Sequence, residues 1–195
     1  MSRMNPEQRK RSLLEAGRRL WASKPFDAVR PDDVTAATGT SIGLVYRYFG
    51  NKRGFYVETV RSVADQILAT TDPLQLAAAT GAVTPHALLH AVLSAFVEQV
   101  VRERALLKAV LRGGVGVDPE VAGLAQAVRD AQAARVRLLF SLPDDAATRL
   151  VMAGWIGFCE AVVLADDAEP SALPDLMADA LHRLVPATAP DRRRS

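Results

Sequence analysis

TGTSIGLVYRYFGNKRGFY, Thr38 to Tyr56, is the stretch whose reading decides the fold. Around a short apolar segment it sets a glycine turn, the hydroxyls of Thr40 and Ser41, the tyrosines Tyr46 and Tyr48, and three cations. One reading is a surface helix packed on a core. The other is one end of a device that grips phosphates. The surroundings separate the two. Upstream, PDDVTAAT from Pro31 reads as a short helix with two aspartates in its first turn, where the helix dipole favours negative charge. Gly39 ends that helix. Ser41 can cap a third, running Ile42 to about Phe49. Gly50-Asn51 then breaks the chain before a long fourth helix, Lys52 to about Thr70. Two short helices joined by a tight glycine turn and followed by cations are helix-turn-helix patterning.

The rest of the chain fits an all-α protein of about nine helices. A first helix, Pro6 to Ser23, carries Leu13, Leu14, Gly17, Leu20 and Trp21 at helical spacing, with Arg9, Arg11, Arg18 and Arg19 elsewhere on the wheel. Asn5 can cap it and Pro6 suits its first turn. After Asp72-Pro73 the Ala-rich stretch to Thr84 is ambiguous. Further helices are expected at Pro85–Arg102, Arg104–Leu111, Pro119–Phe140, Ala146–Ala165 and Pro174–Val185, with RGGVGVDP and SLPDD as breaks. The expected divisions are a DNA-binding domain at 7–67, a second helical domain at 68–187 and a disordered tail at 188–195.

Composition narrows the function. The 195 residues are 49% hydrophobic and only 6% aromatic, a mixture that favours helices over β-sandwiches. A single cysteine, Cys159, supports neither an intrachain disulfide nor a multi-cysteine zinc site. No secretory h-region opens the chain, and no uninterrupted apolar run reaches the ~20 residues of a membrane span. The expected location is the cytoplasm. The net charge of +2 hides an asymmetry. Met1 to Arg61 holds 12 Lys/Arg against 6 Asp/Glu, Ser62 to Val185 holds 9 against 15, and the last ten residues hold 3 against 1. A basic first third suggests a polyanion partner at that end.

The segment VTAATGTSIGLVYRYFGNKRGFY resembles the tetracycline-repressor (TetR) family of bacterial transcription regulators. The match is carried by Gly39, Thr40, Ser41, Ile42, Gly43, Leu44 with Val45, Tyr46, Tyr48, Phe49 and Lys52, and it covers roughly residues 8 to 60. The one departure is Arg30-Pro31, where the family often has a Thr cap. The physics of the positions agrees with the resemblance. Val34, Val45 and Phe49 face inward, while Ile42, Gly43 and Leu44 form the turn that enters the major groove in helix-turn-helix proteins. Arg47 is the candidate for reading a base edge, since a guanidinium can bridge guanine O6 and N7. Thr40, Ser41, Tyr46, Tyr48 and Lys52 suit phosphates. Arg3, Arg9, Lys10 and Arg11 can add phosphate contacts from the N-terminal arm.

The resemblance implies that the C-terminal part dimerises and binds an inducer. For dimerisation the residues give support of their own. Ala153, Gly157 and Ala161 recur at i, i+4, i+8 on a helix apolar nearly all round, and the last helix adds Leu176, Ala180 and Leu184. Candidate ligand-lining residues are Val63, Ile67, Leu89, Phe96, Leu107, Leu111, Leu124, Val128, Trp155 and Phe158. Gln132, Arg135 or Glu160 can supply a polar contact, so the expected effector is a small, mostly apolar molecule. His86 and His90 stand at i, i+4, but no third metal ligand is evident. Cys159 reads as inert packing. The resulting expectation is a dimeric repressor, not an enzyme and without a cofactor. It binds a pseudo-palindromic double-stranded operator, is released by its effector and has no membrane partner. Two alternatives remain: a helical DNA-binding or interaction module without an inducer, and a small helical enzyme.

Overall fold

The computed structural model describes residues 5–111 and 118–185. Arg3, residues 112–117 within the expected RGGVGVDP break, and the expected disordered tail at 188–195 lie outside these. Among the described residues there are ten α-helices and no strand, in keeping with the all-α expectation. They are α1 Pro6–Ser23, α2 Pro31–Thr38, α3 Ile42–Phe49, α4 Lys52–Thr70, α5 Pro73–Thr80, α6 Pro85–Arg102, α7 Arg104–Ala109, α8 Pro119–Leu139, α9 Ala146–Leu164 and α10 Leu173–Leu184. The ambiguous Ala-rich stretch is thus helical over Pro73–Thr80. Asp72 caps it through the Leu74 and Gln75 amides, and it buries none of its own residues.

The chain forms two compact units. In space they do not follow a single cut near residue 67. One unit takes residues up to 69 together with 102–128, and the other takes 70–101 with 129 onward.

The first unit is built around α1. Asn5 and Gln8 exchange side-chain and backbone hydrogen bonds at 2.8 and 3.1 Å, a capping box that fixes where α1 begins. Leu13, Ala16, Gly17, Leu20 and Trp21 form its buried stripe. Gly17 is required by a close helix crossing: a Cβ there would lie 2.5 Å from Thr59 Oγ1 on α4. Trp21 meets Phe55 and Tyr56 edge-on, with ring centres 4.9 and 5.2 Å away. Arg18, read from the sequence as part of the polar side, instead ties three helices together. Its two terminal nitrogens reach Gln66, Ser62 and Glu103 at 2.8–3.1 Å.

At the start of α8, Asp118 caps the Glu120 amide and takes both Nε and Nη2 of Arg53 at 2.8 Å. That guanidinium holds the Asp118 carboxyl below its usual range. The unfolded reference is about 3.9, so the pair's contribution is complete above about pH 4 and is lost as pH falls through the lower folded value. Asp118→Asn is expected to flatten the acid limb of the stability curve below about pH 4. Chemical denaturation at stepped pH reads this directly; an acid limb identical to the parent's would show the pair contributes nothing.

In the second unit, Asp145 caps α9 through the Thr148 amide at 2.7 Å. Trp155 Nε1 donates to the Met177 carbonyl at 2.8 Å, locking α9 to α10. Thr71, itself buried, receives Gln132 Nε2 at 2.7 Å and Arg135 Nη1 at 3.0 Å. Although Arg149 and Glu160 interrupt its apolar sequence, α9 is by length and composition long enough and apolar enough to cross a membrane. The core helix of a water-soluble bundle passes the same test.

Candidate nucleic-acid interface

The α2–α3 pair is fixed by local signals. Asp33 Oδ2 reaches back to the Arg30 amide at 2.8 Å and so replaces a Thr cap at the start of α2. Lys24 pairs with the same carboxylate, and the two donors hold the Asp33 carboxyl below its usual range, Lys24 contributing most. Gly39 turns the chain with φ 65°, a region that suits glycine. Ser41 Oγ accepts the Leu44 amide at 3.3 Å and starts α3. Val34 and Val45 are fully buried and Phe49 nearly so, which sets the angle between the two helices.

The residues expected from the sequence to meet DNA all keep some open surface. Ser41, Gly43 and Arg47 are exposed, and Thr40, Ile42, Leu44, Tyr46 and Tyr48 are half-buried. Apart from its chain neighbours and its own helix backbone, nothing among the described residues comes within 4 Å of where a Gly43 Cβ would stand, so internal packing does not demand glycine there. Arg47 makes no ion pair or hydrogen bond among the described residues.

Lys52 is placed differently from the rest. Its ammonium donates to the carbonyls of Phe26 and Val29 at 3.2 and 3.0 Å, and it sits 4.4 Å from the centre of the Phe26 ring. It therefore fastens the connector before α2 to the start of α4. No short-range pattern announces that role, because its partners lie 23 and 26 residues upstream. Other cations near α4 are also engaged: Arg53 with Asp118 and Glu120, Arg61 with Glu58 and Glu120, and Lys10 with Glu58. Arg9, Arg11 and Arg30 carry no ion pair among the described residues.

Residues 13–59 match the family described as bacterial regulatory proteins, tetR family. This segment is a tetR-family domain. The whole chain has the fold of tetR-family regulators. A tetR-family transcriptional regulator from Streptomyces coelicolor superimposes with a TM-score of 0.74 at 22% identity, over 93% of this chain and 80% of that one. A TetR-like regulator from Rhodococcus sp. RHA1 gives 0.75 at 20% identity, over 93% and 97%. The fatty acid degradation regulator FadR from Bacillus halodurans gives 0.70 at 16% identity, over 99% and 100%. No curated protein matches the chain.

The residues expected to line a ligand site differ in burial. In the first unit of this tetR-type fold, Val63 and Ile67 are buried, and Leu107, Leu111, Leu124 and Val128 half-buried. In the second, Leu89 and Trp155 are buried and Phe96 and Phe158 half-buried. The first unit holds a cavity of about 250 Å³ against Trp21, Phe26, Tyr56, Leu106 and Val110, none of which the sequence singled out for that role. The polar candidates are engaged within the second unit: Gln132 and Arg135 with Thr71, and Glu160 with Arg129 at 2.9 Å.

The expected dimer stripe lies open. Ala153, Gly157 and Ala161 are exposed on α9, as is Leu150; Leu176 and Leu184 are exposed on α10 and Ala180 half-buried. Apart from its chain neighbours and its own helix backbone, a Cβ at Gly154 or Gly157 would meet nothing within 4 Å among the described residues. His86 stacks on His182 with ring centres 4.7 Å apart, and His90 Nε2 lies 3.2 Å from Asp175. Cys159 is buried, and burial pushes its thiol up to about 12, so it stays protonated at neutral pH.

Proposed function

We propose that the chain is a cytoplasmic, non-enzymatic transcriptional regulator that binds a pseudo-palindromic operator as a homodimer and represses until a small effector releases it. The observation that carries the reading is the outward face of α3. Arg47 and Gly43 stand exposed, and without a partner among the described residues, on a helix whose other face is held rigidly by Val45 and Phe49, inside a tetR-family domain. Ile42 and Leu44 offer methyl groups to thymine. Thr40, Ser41, Tyr46 and Tyr48 offer hydroxyls to phosphates. Lys52 acts first as a brace, and through the brace it sets where the start of α4 meets the backbone.

A second copy is the natural cover for the open stripe on α9 and α10, because contiguous exposed apolar surface marks an interaction site. Two-fold pairing would set the α3 helices about 34–36 Å apart, one turn of DNA. Effector binding then acts by favouring an arrangement with a different spacing, to the extent that it binds that state more tightly.

Selection of bound duplexes from a random library at two salt concentrations tests the reading. A palindromic motif with half-sites one turn apart is the expected outcome. Sequence-blind binding lost at moderate salt would defeat it. Arg47→Ala is expected to leave the melting temperature unchanged and to lose about 1–3 kcal/mol of discrimination at one base pair per half-site. A motif equally sharp at every position in the variant would remove Arg47 from the readout.

A further inference from the structure

The cavity of about 250 Å³ in the first unit is bordered by Trp21, Phe26 and Tyr56 and by the aliphatic Leu106, Ala109 and Val110. An apolar cavity of about 150 Å³ admits benzene, so this one has room for an aromatic ring with a short arm. Trp21 and Tyr56 are buried and Phe26 is half-buried. The rings hold one another in place, with Tyr56 centred 5.2 Å from Trp21 and 5.0 Å from Phe26. The space is therefore built before any occupant arrives, and much of its lining is aromatic.

Its charges decide which kind of occupant fits. Lys24, Asp27 and Asp118 also border the cavity. Two of the three are answered: Lys24 pairs with Asp33, and Asp118 gives both oxygens to Arg53. Asp27 is exposed and makes no ion pair or hydrogen bond among the described residues. The charge left over at the cavity is therefore negative. The Tyr56 hydroxyl has no hydrogen-bond partner among the described residues either. Burial, and then the Asp118 charge, raise its pKa, so it stays a neutral hydroxyl able to accept a bond. Lys52 stands over the Phe26 ring but does not itself border the cavity. Aromatic faces attract a cation through their quadrupole, more strongly once it has left water. Three rings and one unanswered carboxylate suit an organic cation and oppose an anion.

We infer that this cavity receives the effector, an ammonium compound carrying an aromatic ring, with Asp27 as its counter-ion. This rests on the reading of the chain as an effector-responsive regulator and gives the effector a chemical class and a place. The place also supplies a coupling to DNA. Phe26 holds Lys52 by its carbonyl and its ring, and Tyr56 lies one helical turn on from Lys52. A second cation at the Phe26 ring repels the Lys52 ammonium and competes for the same quadrupole. Occupancy thus disfavours the brace between the connector before α2 and the start of α4, and the state that grips the operator loses by that difference.

The test uses the full chain with 2-phenylethylammonium as probe, and 2-phenylethanol and phenylacetate as controls of like size. Binding is followed through the indole N–H resonances of the two tryptophans. The probe is expected to shift the Trp21 signal and leave that of Trp155, in the second unit, in place. It should bind at least about 10-fold more tightly than either control, and at saturation weaken operator binding by about 10-fold. Asp27→Asn removes a side chain without partners, so it should melt as the parent does, lose about 10-fold in probe affinity and keep its affinity for the alcohol. Ala109→Leu fills the space; it should melt no lower than the parent and lose about 10-fold for probe and alcohol alike. Several results would each overturn the inference: no binding of the probe, a control binding as tightly, a shift at Trp155 instead of Trp21, full probe affinity in either variant, or operator affinity unchanged at saturation. With any of these, sequence-specific operator binding by the parent without probe would leave the regulator reading standing. Failure of that binding would defeat the regulator reading by itself, whatever the probe does at Trp21.

Discussion

Gly54→Ala is expected to lower the melting temperature by roughly 5–10 °C and to weaken operator binding at the same time. A Cβ at position 54 would stand 2.0 Å from the carbonyl oxygen of Phe49. That oxygen cannot retreat, because it also accepts the Asn51 amide at 3.0 Å. The Gly54 amide is in turn held by Asn51 Oδ1 at 2.8 Å. The obstacle is backbone on both sides, so the usual relief of overpacking, a side chain changing rotamer, is not available. Forced insertion of a methyl group into packed structure costs about 1–3 kcal/mol and sometimes more. In a chain of this size each kcal/mol moves the midpoint by about 2–4 °C. The movement that relieves the clash carries the C-terminus of α3 away from α4, and Arg47 lies in the last turn of α3. A thermal melt within ~2 °C of the parent would show that the α3–α4 junction is looser than described.

Gly157→Glu should do the opposite: leave the folded chain intact and separate its copies. Apart from its chain neighbours and its own helix backbone, no atom of the described residues lies within 4 Å of a Cβ at this position, and leaving glycine behind in a helix interior is favourable by about 0.5–1 kcal/mol when the replacement is Ala. A carboxylate on the stripe of Ala153, Gly157 and Ala161 would be stranded wherever a second α9 approaches. The expected result is a helical protein of monomer mass in light scattering. Its affinity for a full palindrome should fall by about 100-fold or more, as the second half-site ceases to be an intramolecular contact. Gly157→Ala is the control and should remain paired. A Gly157→Glu protein still of dimer mass would move the interface away from this face.

The helices were legible because their ends are written locally. Asn5, Pro31, Gly39 and Ser41 mark starts and stops with their own side chains or backbone preferences, and the structure uses each of them so. α5 was harder because it buries nothing, so no apolar periodicity marks Pro73–Thr80. What escaped the sequence is long-range. Nothing near Lys52 says that its ammonium will reach Phe26 and Val29. Arg18 occupies a position that reads as solvent-facing until Ser62, Gln66 and Glu103 converge on it. That residues 102–128 associate with the N-terminal helices has no local signature either. The partners of Gln132, Arg135 and Glu160 were hidden for the same reason: Thr71 and Arg129 lie 31 to 64 residues away in the chain.

The ion-pair chain running from Lys10 through Glu58, Arg61 and Glu120 to Arg53 and Asp118 has a bearing on how this domain meets a polyelectrolyte. Affinity for DNA grows as protein cations displace the counterions condensed on phosphates, one set of released ions for each phosphate neutralised. Cations already neutralised by carboxylates of their own chain displace few. The basic first third of the sequence therefore overstates the number of phosphates it can discharge. On the proposed reading, the entropy of ion release would fall to Arg47 and to Arg9, Arg11 and Arg30, which carry no ion pair among the described residues, and a larger share of the binding energy would be left to direct contact along α3.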